Sequence, residues 1–118
     1  MQIRINLEGG AAITVTLDDG AASRDFASLL PLKVELDDYA STEKIGDLPK
    51  RLSTQGAPAG FKPSAGDVAY YSPWGNLAIF YRDYSYAAGL VRLGKIDSGV
   101  EVLKAPGTLT ATFEKVTG

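Results

Sequence analysis

Seven of the eleven aromatic residues in the chain fall inside the 17-residue block from Tyr70 to Tyr86, YYSPWGNLAIFYRDYSY. Proline presets φ for a turn, and Gly and Asn tolerate positive φ. The block and its approach therefore parse as a strand from Asp67 to Ser72, a turn Ser72-Pro73-Trp74-Gly75-Asn76, and a second strand from Asn76 to Arg82. Side chains alternate across a strand, so Leu77, Ile79 and Tyr81 point one way and Ala78 and Phe80 the other. Both faces are apolar. A strand with one wet face would interleave polar residues, so this one is either sandwiched or lies beneath a binding groove.

Composition removes most chemistries from consideration. With 118 residues, 45% of them hydrophobic and 22% charged, the chain has the length and make-up of one globular domain spanning residues 1–118. Cys and His are both absent. That excludes disulfides, thiolate nucleophiles, Ser-His-Asp and Cys-His catalysis, and His- or Cys-ligated zinc. Any enzyme here would have to work with carboxylates, Lys, Arg, Tyr or Ser. A net charge of −2, with basic residues scattered singly, argues against a nucleic-acid partner, which needs clustered Lys and Arg. The opening Met-Gln-Ile-Arg-Ile-Asn-Leu goes straight into alternation, without a basic-then-apolar leader or a run of about 20 apolar residues. A cytoplasmic location without membrane insertion is the expectation.

Along the chain, Ile3, Ile5 and Leu7, then Gly9-Gly10, then Ile13, Val15 and Leu17 spell a β-hairpin. Ala22, Phe26, Leu29 and Leu30 share one face of a helix from Ala21 to Leu30, ended by Pro31. Leu32, Val34 and Leu36 form a third strand. From Asp37 to Gly66 the chain reads as loop, apart from a short strand or turn around Lys44 to Leu48. A strand from Leu90 to Ile96, a short helix from Ser98 to Lys104 and a strand carrying Leu109, Ala111 and Phe113 complete it. Seven or eight short strands with few helices indicate a barrel or sandwich, and closure removes exposed edges.

Two patterns invite a chemical reading. Gly89-Leu90-Val91-Arg92-Leu93-Gly94-Lys95-Ile96 matches GxxxxGK, but Ile96 stands where a phosphate loop needs Ser or Thr, and the run has strand character. The acidic group Glu35, Asp37, Asp38, Glu43 and Asp47 fits no calcium loop and reads as a solvated edge. Arg92 shares the outer strand face with Leu90, either as a salt-bridge partner or as a ligand-binding group. Trp74, Tyr84 and Tyr86 lie in turns, where large aromatics are packed down or used for contact.

The pieces Asp38-Tyr39, Lys44-Ile45-Gly46-Asp47-Leu48-Pro49, Gly56-Ala57-Pro58-Ala59-Gly60, Gly66-Asp67, Tyr71-Ser72-Pro73-Trp74-Gly75-Asn76-Leu77-Ala78, Phe80-Tyr81 and Gly89 to Ile96 together resemble the small bacterial and archaeal cyclophilin-like proteins. The resemblance covers nearly the whole chain. It implies a mainly β fold, a closed eight-stranded barrel capped by one or two helices, in a family whose biochemical role is largely unassigned. True cyclophilins share the fold order and are prolyl isomerases, with an outer groove made by an arginine, a glutamine, a phenylalanine, a tryptophan and a histidine. Laid on this chain, the groove glutamine and phenylalanine fall near Leu77 and Ile79, and Leu90 replaces the histidine. The third strand, Leu32-Lys33-Val34-Glu35-Leu36, has no arginine, so the electrostatic contribution that group makes in the transition state is missing.

The resulting expectation is a non-catalytic binding module. Its outer groove is lined by Tyr71, Trp74, Leu77, Ile79, Tyr81 and Leu90, with Arg82 or Arg92 fixing a carboxylate or carbonyl, and Ala78 and Phe80 face the barrel core. The ligand is a small apolar molecule or an extended peptide, with no cofactor and no metal. Alternatives are a prolyl isomerase with altered catalytic residues and a subunit contact, although nothing in the sequence itself indicates an oligomer.

Overall fold

β1 (Gln2–Leu7) and β2 (Ala12–Leu17) form the hairpin that their alternation requires, in a computed structural model that describes residues 1–116. Ile3, Ile5, Leu7, Ile13, Val15 and Leu17 turn to one side and are buried. The chain continues through α1 (Ala21–Ser28), β3 (Leu32–Tyr39), β4 (Glu43–Asp47), β5 (Gly60–Phe61), β6 (Asp67–Tyr71), β7 (Asn76–Phe80), β8 (Ala87–Ala88), β9 (Leu90–Ser98), a 3-10 turn (Val100–Lys104) and β10 (Leu109–Lys115). Eight strands close into a barrel in the order β1-β10-β3-β4-β7-β6-β9-β2, and β5 pairs with β8 as a separate two-stranded ribbon. All barrel pairings are antiparallel. β1 sits between β2 and β10, with Ile5 opposite both Ile13 and Phe113. The first and last strands thus form one seam, and no barrel strand is left with an unpaired edge.

α1 packs against β9. Ser23 Oγ donates to the Leu93 carbonyl at 2.9 Å, and the Phe26 ring meets Phe113 edge-on, with centroids 5.7 Å apart. The helix stops two residues before the expected Leu30, because the residue ahead of a proline is pushed out of the α region. The stretch from Asp37 to Gly66 is more ordered than its composition suggests. β3 runs on to Tyr39 and turns back into β4 through Ala40 and Ser41, both at φ 54°. A turn with positive φ at non-glycine positions carries none of the Gly or Asn that marks such hairpins in a sequence. Among the described residues, no helix is long and apolar enough to cross a membrane.

The orientation of β7 is the reverse of the sequence expectation. Leu77 and Ile79 point into the barrel with Val68, Tyr70, Val91 and Leu93, whereas Ala78 and Phe80 lie outside it with Ala69 and Leu90. Alternation fixes which residues share a face but not which face is inner. Tyr81 is also inside: its hydroxyl donates to Asp38 Oδ1 at 3.0 Å, and burial raises its phenol above the usual range. Lys44, on the inner side of β4, is fully buried. Its ammonium donates to the carbonyls of Ala105 at 2.9 Å and Gly107 at 2.7 Å and pairs with Asp38 Oδ1 at 2.9 Å. Three acceptors match its three N–H bonds, so the buried charge is fully compensated. The hydrogen bond from Lys44 holds the Asp38 carboxyl below its ordinary range, helped by the Gly107 N–H.

Candidate functional site

The outer face of β7 is floored by neighbours that the strand register dictates. Ala78 lies between Ile45 of β4 and Ala69 of β6, Asn76 lies between Asp47 and Tyr71, and Phe80 lies beside Glu43. Leu90 of β9 flanks Tyr71 on the far side. Ala69, Ala78, Phe80 and Leu90 form a second apolar cluster, against which Ile45, Phe61, Tyr71 and Ala87 pack. The β5–β8 ribbon and the 72–75 turn overhang it and lock against each other. Gly89 has φ +82°, and a Cβ there would meet Pro73 Cδ at 2.7 Å. The Ser72 N–H donates to the Gly89 carbonyl at 2.9 Å.

Between these covers a cleft of about 190 Å³ stays open, lined by Tyr39, Glu43, Tyr71, Trp74, Asn76 and Phe80 among others. Trp74, 56% exposed, stands edge-on to Tyr39 at 5.6 Å and to Tyr71 at 5.2 Å between ring centroids. Because Tyr39 is the register partner of Glu43 and Tyr71 that of Asn76, the three rings form an arch along the groove. Glu43 is only 9% exposed. Among the described residues it has no ion pair and no side-chain hydrogen bond, and burial pushes its carboxyl up to about 7. Asn76, 4% exposed, donates from Nδ2 to the Leu77 carbonyl at 3.1 Å, while its Oδ1 has no partner among the described residues. An unpartnered buried amide oxygen and a desolvated carboxyl thus share one aromatic cleft, and a buried acceptor without a partner is costly.

Of the residues expected at the groove, the structure brings together Tyr71, Trp74 and Leu90. Leu77, Ile79 and Tyr81 belong to the barrel core, as described above. Arg82 is exposed and does not line the cleft. Arg92 faces a neighbouring depression of about 330 Å³ under the start of α1. There its guanidinium pairs with Asp18 at 2.9 Å and with Asp67 at 3.7 Å, so its donors are already engaged by carboxylates. Exposed Glu35, Asp37 and Asp47 fit a solvated acidic edge, whereas Glu43 does not. Glu43, Asn76, Tyr39, Ile45 and Phe80 were not anticipated as groove residues. Asn76 and Arg82 share the parity of Ala78 and Phe80, and two polar residues on one face against none on the other would have marked it as outer.

The profile of the cyclophilin-like family matches residues 7–114, nearly the whole barrel. The chain belongs to the cyclophilin-like family. Among solved structures, the barrel is similar to a hypothetical protein of Archaeoglobus fulgidus determined in solution, with a TM-score of 0.68 and 19% identity, over 98% of this chain and 95% of the other. At that identity the likeness concerns the fold alone. No curated protein gives a significant match. In this cyclophilin-like protein the outward residues of β3 include Lys33, Glu35 and Asp37 but no arginine, and the cleft that the fold leaves open is aromatic and acidic.

Proposed function

We propose that this cyclophilin-like protein is a non-catalytic binding module whose outer groove, above β4, β7 and β6, takes a small, largely apolar ligand or an extended peptide. The observation that carries the reading is the pairing of an aromatic cleft with two convergent polar groups, the desolvated Glu43 carboxyl and the buried, unpartnered Asn76 Oδ1. Apolar walls with a few convergent polar groups are the general signature of a ligand site. The β5–β8 ribbon stands between this cleft and the depression beside Arg92, and both openings share Leu90. Among the described residues, no Lys or Arg lines the groove to supply the positive charge that prolyl isomerisation needs where resonance is lost, so a coupled peptide assay is expected to run at the uncatalysed rate. A cytoplasmic location accords with this reading.

Two-dimensional amide spectra recorded with proline-containing peptides and small apolar compounds test it. Shifts confined to the Trp74 indole and the backbone of Tyr71, Asn76, Phe80 and Ala87 are expected, and Trp74→Ala should weaken them while leaving the melting curve in place. Shifts absent throughout the groove with every probe class would remove the binding reading.

A further inference from the structure

The groove is chemically one-sided. Its two polar groups, the mostly buried Glu43 carboxylate and the buried Asn76 Oδ1, are hydrogen-bond acceptors, and among the described residues neither receives a donor or an ion pair. They stand apart: Glu43 is level with Phe80 and Asn76 lies four residues back along β7. At the rise of an extended strand that is a separation of about 13 Å. Each end also has its own aromatic ring, Tyr39 beside Glu43 and Tyr71 beside Asn76, with Trp74 reaching both. A second carboxylate, exposed Asp47, is the register partner of Asn76. Between the ends the floor is apolar, made by Ile45, Ala78 and Ala69, with Phe80 level with Glu43 and Leu90 beside Tyr71. The nearby cations are committed elsewhere or point away. Lys44 is sealed inside the barrel, Arg92 is held by Asp18 and Asp67, and Arg82 lies outside the cleft.

Building on the groove reading, we propose that the ligand is a linear diamine. One ammonium donates to the Glu43 carboxylate beneath Tyr39 and the other to Asn76 Oδ1 beside Tyr71 and Asp47, while the alkyl body lies over Phe80 and Ala78 under Trp74. Every feature has a role in this arrangement. Ammonium N–H groups satisfy the orphaned acceptors, charge-assisted bonds compensate the buried carboxylate, and cations at the ring faces gain from the aromatic quadrupole. An alkyl chain needs no partner on the floor. A simple anion would meet like charge at both ends, and a wholly apolar ligand would leave Asn76 Oδ1 unmet and desolvate the Glu43 carboxylate further.

Titration calorimetry at about pH 8, with Glu43 ionised and an alkylamine still charged, separates the possibilities. The probes are diaminooctane, octylamine and octanediol, which share a chain and differ in their ends. The proposal expects diaminooctane to bind most tightly, octylamine more weakly and octanediol weakest. Glu43→Gln, a near-isosteric change that removes the charge and turns one acceptor oxygen into an NH2 donor, should lower diaminooctane affinity about tenfold or more, the size of one lost charge-assisted bond. It should leave octanediol unaffected. Equal affinity for diamine and diol, or a Glu43→Gln protein that binds the diamine as well as the parent, would overturn the diamine assignment while leaving the groove reading standing. Failure of all three probes, with peptides still shifting the groove resonances, would overturn the diamine assignment alone. Silence from every probe and every peptide would overturn both.

Discussion

Glu43 shows how one side chain records its surroundings. Its carboxyl titrates near 7 instead of 4.5 because burial disfavours the ion and no cation answers it. The sign of the stability effect follows from proton counting. Below pH 4.5 the group is protonated in both folded and unfolded chains; between 4.5 and 7 the unfolded chain gives up its proton and the folded one keeps it; above 7 the folded protein carries the whole penalty. That penalty approaches about 3 kcal/mol. Glu43→Gln should therefore stabilise the free protein by up to about that amount at pH 8 and hardly at all at pH 4. Urea titrations of both proteins at the two pH values measure it, and a gain indifferent to pH would mean that the carboxyl is not desolvated. In the sequence Glu43 looked like one more member of an acidic run. Nothing in a single chain tells a carboxylate on a solvated edge from one beneath a tryptophan, because the difference lies in the β4–β7 register and in the turn that places Trp74.

At the level of the element, β7 separates what alternation can and cannot show. The hairpin, its turn at Pro73-Trp74-Gly75 and the parity of its residues were all legible. Both faces are apolar, so alternation leaves inner and outer interchangeable, and only the polar Asn76 and Arg82 at the ends of the even-numbered face mark it as outer. The consequence is measurable. Ile79 packs inside the barrel with no exposure, so Ile79→Ala should cost about 3–4 kcal/mol by leaving a cavity that the closed wall cannot collapse. Phe80 belongs to the small outer cluster under the ribbon, where the cover can settle and water can enter. Phe80→Ala should cost closer to about 2 kcal/mol, the loss of apolar burial alone, while widening the cleft. Chemical denaturation of the two variants decides the matter, and a costlier Phe80→Ala would restore the opposite orientation. The β5–β8 ribbon was invisible for a different reason. Two-residue strands have no period to detect, and Gly60 and Ala88 pair because the barrel brings them together.

For the whole molecule, many short strands, few helices and Gly/Pro punctuation pointed to a closed barrel, and closure is what the strand order shows. The β3–β4 hairpin escaped because its turn uses Ala40 and Ser41 where glycine or asparagine would have announced it. The candidate site was half legible for a related reason. Aromatic residues advertise themselves in composition, but a groove belongs to whichever strands end up adjacent, and β4, β6 and β7 become neighbours only once the sheet is rolled.

The sealed ammonium of Lys44 makes the molecule its own reporter. Amine-acylating reagents need an accessible, unprotonated nitrogen, and the other lysines are exposed or half-buried. In the native state, brief acylation followed by peptide mass spectrometry should mark Lys33, Lys50, Lys62, Lys95, Lys104 and Lys115 and spare Lys44. Labelling at Lys44 should appear only when the 105–107 segment lets go of its nitrogen, so its rate clocks the opening of that end of the barrel. Early labelling at Lys44, in step with the surface lysines, would mean that this end stands open in solution.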